Sequence, residues 1–176
     1  LVDQYSIGTV GIPSVVLMER AAMAVTKEII AVTNPSMSVL VLAGMGNNGA
    51  DGLAVARMLK HKGYQTVDIV SFGNVEKATK EWSCQKKILD SLQIVVEAAR
   101  EEMVEEYIAK KEYKIVVDAL FGIGLTRDVG GMFEKAIRQV NQTEALVVSV
   151  DIASGIHSDT GEIMKTAVKA DITVTF

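Results

Sequence analysis

At 176 residues the chain is long enough for one well-buried domain and too short for two of ordinary size. Hydrophobic residues at 49% and charged ones at 23% exclude a disordered chain, and a formal charge of −4 argues against gripping nucleic acid by its phosphates. One cysteine, Cys84, rules out an internal disulfide, and no apolar run approaches the roughly 20 residues that cross a bilayer, so the expectation is a cytoplasmic protein without membrane or nucleic-acid partners.

The first predicted element is a helix over residues 13–33. Pro13 suits a first turn, Met18, Ala22, Val25 and Ile29 recur at helical spacing, and Asn34-Pro35 stops it. It reads as an amphipathic helix packed on the domain or on a second copy of the chain, which would make a homodimer. Residues 39–52, VLVLAGMGNNGADG, follow. They predict a strand over 39–42, a glycine-rich turn, and a helix opening at about Ala50 and ending near Gly63. The N–H groups of such a helix start lack intrahelical partners and favour an anion or a polar ligand. Gly44, Gly46 and Gly49 fit the G-x-G-x-x-G spacing that lets a phosphate approach the backbone. More telling are Asn47, Asn48 and Asp51, amides and a carboxylate placed in the first turn.

A second strand is predicted over 65–72, a helix over 76–91 and a brief third strand over 94–96. The helix expected over 99–111 presents Glu101, Glu102, Glu105 and Glu106 as a solvated face. Residues 114–120 (KIVVDAL) form a fourth, buried strand, followed by the glycine-rich loop FGIGLTRDVGG and a helix over 132–141. A fifth strand spans 145–152 (ALVVSVDI), the polar loop ASGIHSDTGE comes next, and a sixth strand starts at Ile172. Alternating strands and helices give an α/β class. The expected architecture is a three-layer α/β/α Rossmann-like fold with a mostly parallel, doubly wound sheet in the order 3-2-1-4-5-6. The order reverses between strands 1 and 4, so the loops after strands 1, 4 and 5 should share one crevice. The chain stops at Phe176 within an apolar run, and the single domain is expected to lack its C-terminal end, with room for a further domain downstream.

Asp118 and Asp151 each close a buried apolar strand, where a carboxylate is costly unless paired, hydrogen-bonded or bound to a cation. One alone would read as a loop cap; two at neighbouring strand ends, facing Asn47-Asn48-Gly49, read as a site. Asp151, Ser154 and His157 are crowded into one loop and do not make a hydrolase triad. His61 and His157 have no partner at zinc-ligand spacing. A dehydrogenase would place an acidic residue at the end of strand 2, where this chain has Ser71-Phe72-Gly73-Asn74.

With these segments in hand, the chain resembles the NAD(P)HX epimerase family, the YjeF N-terminal domain. The resemblance rests on residues 17–22 (LMERAA), 46–52 (GNNGADG), 117–125 (VDALFGIGL), 150–155 (VDIASG) and 173–176 (TVTF), in the family's order. Ala50 stands where the family has glycine, and Ala153 where it has proline. The resemblance implies an isomerase acting on NADHX or NADPHX, the dinucleotides hydrated at nicotinamide C6. It would interconvert their R and S epimers so that a companion dehydratase, separate or fused, can restore the cofactor. It further implies that Asn47, Asn48, Gly49, Ala50 and Asp51 line the hydrate, together with Gly122, Ile123, Gly124, Leu125, Thr126, Arg127 and Asp128. Asp151 would touch the hydrate, and Asn48, Asp118 and Ser154 would hold a potassium ion. Asp151 is the first candidate for acid–base catalysis and Asp118 the second. Loss and return of the C6 hydroxyl, or opening of the ring, would each invert the centre. A non-catalytic scaffold of the same fold is the alternative from another class; it would be free to lose the amides, aspartates and serine that are all present here.

Overall fold

The computed structural model describes residue 5 and residues 7–176. Its centre is a six-stranded sheet in the order β3-β2-β1-β4-β5-β6, parallel at every pairing. The strands are β1 (Val39–Ala43), β2 (Val67–Ser71), β3 (Glu97–Ala98), β4 (Ile115–Ala119), β5 (Leu146–Val150) and β6 (Ile172–Val174). The order matches the expected one, and every residue of β1 and β4 is buried. Continuous apolar runs form these strands because both of their faces are covered.

Helices α1 (Ser14–Val32), α2 (Asn47–His61) and α3 (Lys80–Ser91) cover one face; α4 (Val104–Ala109) and α5 (Gly131–Val140) cover the other. The apolar stripe of α1 (Met18, Ala22, Val25, Ile29) is buried and packs on α2 within this chain. Burying such a side chain is worth about 1.5–3 kcal/mol, enough to explain the stripe without a second copy.

Four elements depart from the expected bounds by more than two residues. α2 opens at Asn47, three residues before Ala50, because Gly46 takes the N-cap position and its carbonyl accepts the Ala50 N–H at 3.1 Å. Asn47 and Asn48 therefore belong to the first turn and Asp51 to the second. The helix expected over 76–91 is split into a 3₁₀ turn at Val75–Lys77 and α3, whose start is set by the Thr79 hydroxyl capping Trp82 N–H at 3.2 Å. The third strand pairs at Glu97–Ala98, after the predicted 94–96. Gln93 turns the chain in a left-handed conformation and Ile94 N–H closes α3 on Leu89 O, so the segment meets β2 only at Val70 and Ser71. The helix expected over 99–111 is a 3₁₀ turn, Glu101–Met103, followed by the short α4. Among the described residues no helix is long and apolar enough to cross a membrane.

Candidate functional site

The loops leaving β1, β4 and β5 converge over the sheet's C-terminal edge. Their meeting point is the peptide of Phe121. Its carbonyl accepts the Asn48 amide, Nδ2, at 2.7 Å, and its N–H donates to Ser154 Oγ at 2.9 Å. Ser154 Oγ in turn donates to Asp118 Oδ1 at 2.5 Å. Asn48, Asp118 and Ser154, expected together, are thus joined through one peptide.

Asp118 is wholly enclosed. Ser149 Oγ (2.7 Å) and Ser154 N–H (2.9 Å) donate to Oδ2, while Ser154 Oγ and Leu120 N–H (3.3 Å) donate to Oδ1. Burial pushes its carboxyl above the ordinary aspartate value, and the Ser154, Ser149 and Leu120 donors pull back without offsetting it. A group so enclosed has no face toward bulk solvent. Ser149 was not singled out from the sequence, although a hydroxyl in the otherwise apolar run ALVVSV was the available signal. It is the register partner of Asp118.

Asp151 is the opposite case. It lies one residue past β5, only part-buried, with φ +66°. The Ile152 N–H reaches back to Val150 O at 2.8 Å around it, a γ-turn with the strained, positive φ. A non-glycine residue held this way costs about 1–3 kcal/mol and is a recurrent mark of functional positions. A methyl group added at Gly122 would stand 3.1 Å from Asn48 Cβ and 3.6 Å from Asp151 Oδ2. The Asp151 carboxylate, Asn48 and Gly122 therefore border one small space, with one residue from each loop.

The three glycines of the first loop divide their work. A Cβ at Gly44 would stand 2.0 Å from Leu120 O, and one at Gly49 would stand 1.8 Å from Gly44 O. These two serve backbone-on-backbone packing. Gly46 alone is open, with nothing within 4 Å, and it leads into the unpartnered N–H groups of α2. Ala50 is fully buried in the core on the α2 face, Leu125 is buried in the core on the α5 face, and Asp51 is 7% exposed. Asn47, by contrast, is exposed. Gly122 borders the crevice, while Ile123, Gly124, Thr126, Arg127 and Asp128 are largely solvent-facing along the loop. Ser158 Oγ ties that loop down by donating to Ile123 O at 3.2 Å.

The donor set suits a hard, weakly charged cation. Asn48 Oδ1 is buried with no hydrogen-bond partner, and beside it stand a carbonyl, a hydroxyl and a carboxylate, all oxygen. Among the described residues no three His, Cys, Asp or Glu side chains converge as a metal cluster.

The model of the family described as "YjeF-related protein N-terminus" matches residues 14–176. An NAD(P)H-hydrate epimerase of Limosilactobacillus fermentum is 45% identical over 174 residues, covering 99% of this chain and 80% of the relative. One from Limosilactobacillus reuteri is 46% identical over 175 residues, covering 99% and 79%. Among solved structures, a yeast protein superposes with a TM-score of 0.82 at 26% identity, over 98% of this chain and 74% of that one.

Proposed function

The chain belongs to the family of YjeF-related protein N-termini, and from that premise we propose how its residues carry out the family's NAD(P)H-hydrate epimerase reaction. The reaction is an isomerisation of NADH or NADPH hydrated at nicotinamide C6. That carbon bears both the hydroxyl and the ring nitrogen, so departure of the hydroxyl leaves a nitrogen-stabilised cation that water re-enters from either face. Asp151 protonates the leaving hydroxyl and takes a proton from the incoming water, so no net proton is consumed. Such assistance is worth roughly 10²–10⁴-fold.

The observation that supports Asp151 over Asp118 is the contrast in access. Asp151 borders the space between Asn48 and Gly122, whereas Asp118 is fully buried beneath four donor contacts. Asp118 acts as a positioning residue, holding Ser154 and hence Phe121 and Asn48. A potassium ion would be held by Asn48, Ser154 and Asp118 and, when bound, would stabilise negative charge at the enclosed carboxylate. The buried, unpartnered Asn48 Oδ1 supports this reading, because leaving such an atom unsatisfied costs about 1–3 kcal/mol. The S epimer produced would pass to a companion dehydratase.

The test is direct. Pure R epimer is mixed with protein, and S epimer is followed by chromatography against the spontaneous rate. Wild-type protein accelerates the conversion, and Asp151→Asn returns it to within about tenfold of the uncatalysed rate. An Asp151→Asn protein as fast as wild type would remove Asp151 from the chemistry.

A further inference from the structure

We infer that Met45, Gly73 and Phe133 form a platform on which the adenine ring of the dinucleotide substrate stacks. The inference rests on the epimerase reading and deepens it. The reacting end of the substrate lies over β4 and β5, beside Asp151 and Gly122. The N-terminus of α2, the natural seat for a pyrophosphate, follows β1. In the sheet order β1 stands between β4 and β2, so a dinucleotide laid from Asp151 across the start of α2 arrives next over the end of β2.

That end is built to receive a flat apolar group. β2 finishes at Ser71, Phe72 is fully buried, and Gly73 turns outward with φ +117° and is exposed. A methyl group at Gly73 would stand 3.0 Å from Met45 Cγ and 3.8 Å from Phe133 Cζ. Met45 packs against the core on the α2 face and Phe133 against the core on the α5 face. Side chains from opposite sides of the sheet thus meet where the sheet ends, over a residue without a side chain. Both remain partly exposed.

The Phe133 ring is braced by Phe121 at 4.7 Å (39° between planes) and by Phe72 at 6.0 Å (43°). Phe121 is the residue whose peptide joins Asn48 to Ser154, so the platform and the reacting end share a rigid support. An aromatic edge beside a polarizable thioether is chemistry for a purine face. Recognition by a ribose-binding carboxylate is absent at this position. Asn74 takes that place, and its Oδ1 is engaged by Glu76 N–H at 2.9 Å.

The experiment compares two substrates, R-NADHX and the hydrate of reduced nicotinamide mononucleotide, which keeps the reacting ring and lacks adenosine. The readout is the ratio of their kcat/KM values. Wild-type protein favours the dinucleotide, and Met45→Ala and Phe133→Leu each lower that ratio about tenfold, through the KM for NADHX with its kcat retained. Thermal melts check that the variants fold; should Phe133→Leu fail to fold, Met45→Ala decides alone. A ratio near one in wild type, or unchanged in folded Met45→Ala, overturns the platform while leaving the epimerase reading intact. Wild-type protein that epimerises neither hydrate overturns that reading, and the platform falls with it.

Discussion

Removing the Ser154 hydroxyl tests the core of the site, because that one atom holds two loops at once. In Ser154→Ala, Asp118 Oδ1 loses its donor at 2.5 Å and keeps only Leu120 N–H at 3.3 Å, while Phe121 N–H loses its acceptor at 2.9 Å. A hydrogen bond to a carboxylate contributes about 1.5–3 kcal/mol, and an N–H left unsatisfied costs about 1–3 kcal/mol. Ser154 is 1% exposed, so water has little room to repair either loss. The sum is about 4 kcal/mol, equivalent to a Tm lower by roughly 8–16 °C for a chain of this size. Ser149→Ala is the control. It removes one donor from Asp118 Oδ2, which still accepts Ser154 N–H at 2.9 Å, so its cost should be about half as large. Differential scanning calorimetry in choline chloride gives the ranking. Repeating it in potassium chloride adds a second readout, since a ligand that binds only the folded state raises Tm by mass action. Wild type and Ser149→Ala should gain stability with potassium, and Ser154→Ala should not. A Ser154→Ala protein that melts at or above Ser149→Ala would refute the hub reasoning, and an equal potassium response in both would separate Ser154 from the cation.

Two further outcomes follow from other parts of the molecule. Gly122→Ala places its methyl 3.1 Å from Asn48 Cβ and 3.6 Å from Asp151 Oδ2 at a position outside the left-handed region, so the fold should tolerate it. Tm should stay within about 3 °C of wild type while kcat/KM falls at least tenfold, as expected when reacting groups shift by tenths of an ångström; full activity would mean that the Asn48–Asp151 space is not where the hydrate sits. At Asp68, burial raises the carboxyl pKa, but hydrogen bonds from Lys111 (2.6 Å) and Tyr113 (2.7 Å) outweigh it and hold the group below its ordinary 3.8. A depressed carboxyl contributes stability above that value and loses it as pH falls through the lower folded value. Asp68→Asn should therefore be less stable than wild type by about 0.5 kcal/mol at pH 7, the modest figure reflecting its exposure, and the gap should close below pH 3.8 in urea denaturation.

The parallel sheet was legible because its strands are mostly apolar runs that alternate with helical patterns and lead into polar or glycine-bearing loops. Strand order followed from the crossover rules, and the convergence of three loops followed from strand order. The edge was harder to read. Residues 94–96 (IVV) have strand chemistry, but the left-handed turn at Gln93 sends them past β2, and pairing waits for Glu97 and Ala98. Local composition carries no record of that turn. The capping threonine that splits the helix over 76–91 was visible as Thr79 three residues before Trp82, a signal outweighed by the helical pattern around it. The glycines show a different limit. A spacing of G-x-G-x-x-G looks the same whether a glycine admits a phosphate or another stretch of backbone, and Gly44 and Gly49 proved to be of the second kind. The hub of the site, the peptide of Phe121, has no side-chain signature at all.

The two aspartates show how one residue type acquires two environments from register. Asp118 pairs with Ser149 across the β4–β5 ladder, which brings the Ser149 hydroxyl to Asp118 Oδ2. Residues two apart on a strand share a face. Had β5 continued straight, Asp151 would have stood on the face of Ser149, close to Asp118, and two carboxylates there would have repelled one another in a poorly solvated space. The γ-turn at Asp151 breaks the alternation at that residue. Its carboxylate comes to border Gly122 and Asn48, while Asp118 stays beneath with its donors. The strain stored at φ +66° is thus the cost of keeping the two carboxylates of adjacent strands apart. Glycine at position 151 would adopt that backbone more readily, at the loss of the carboxylate that borders Gly122 and Asn48.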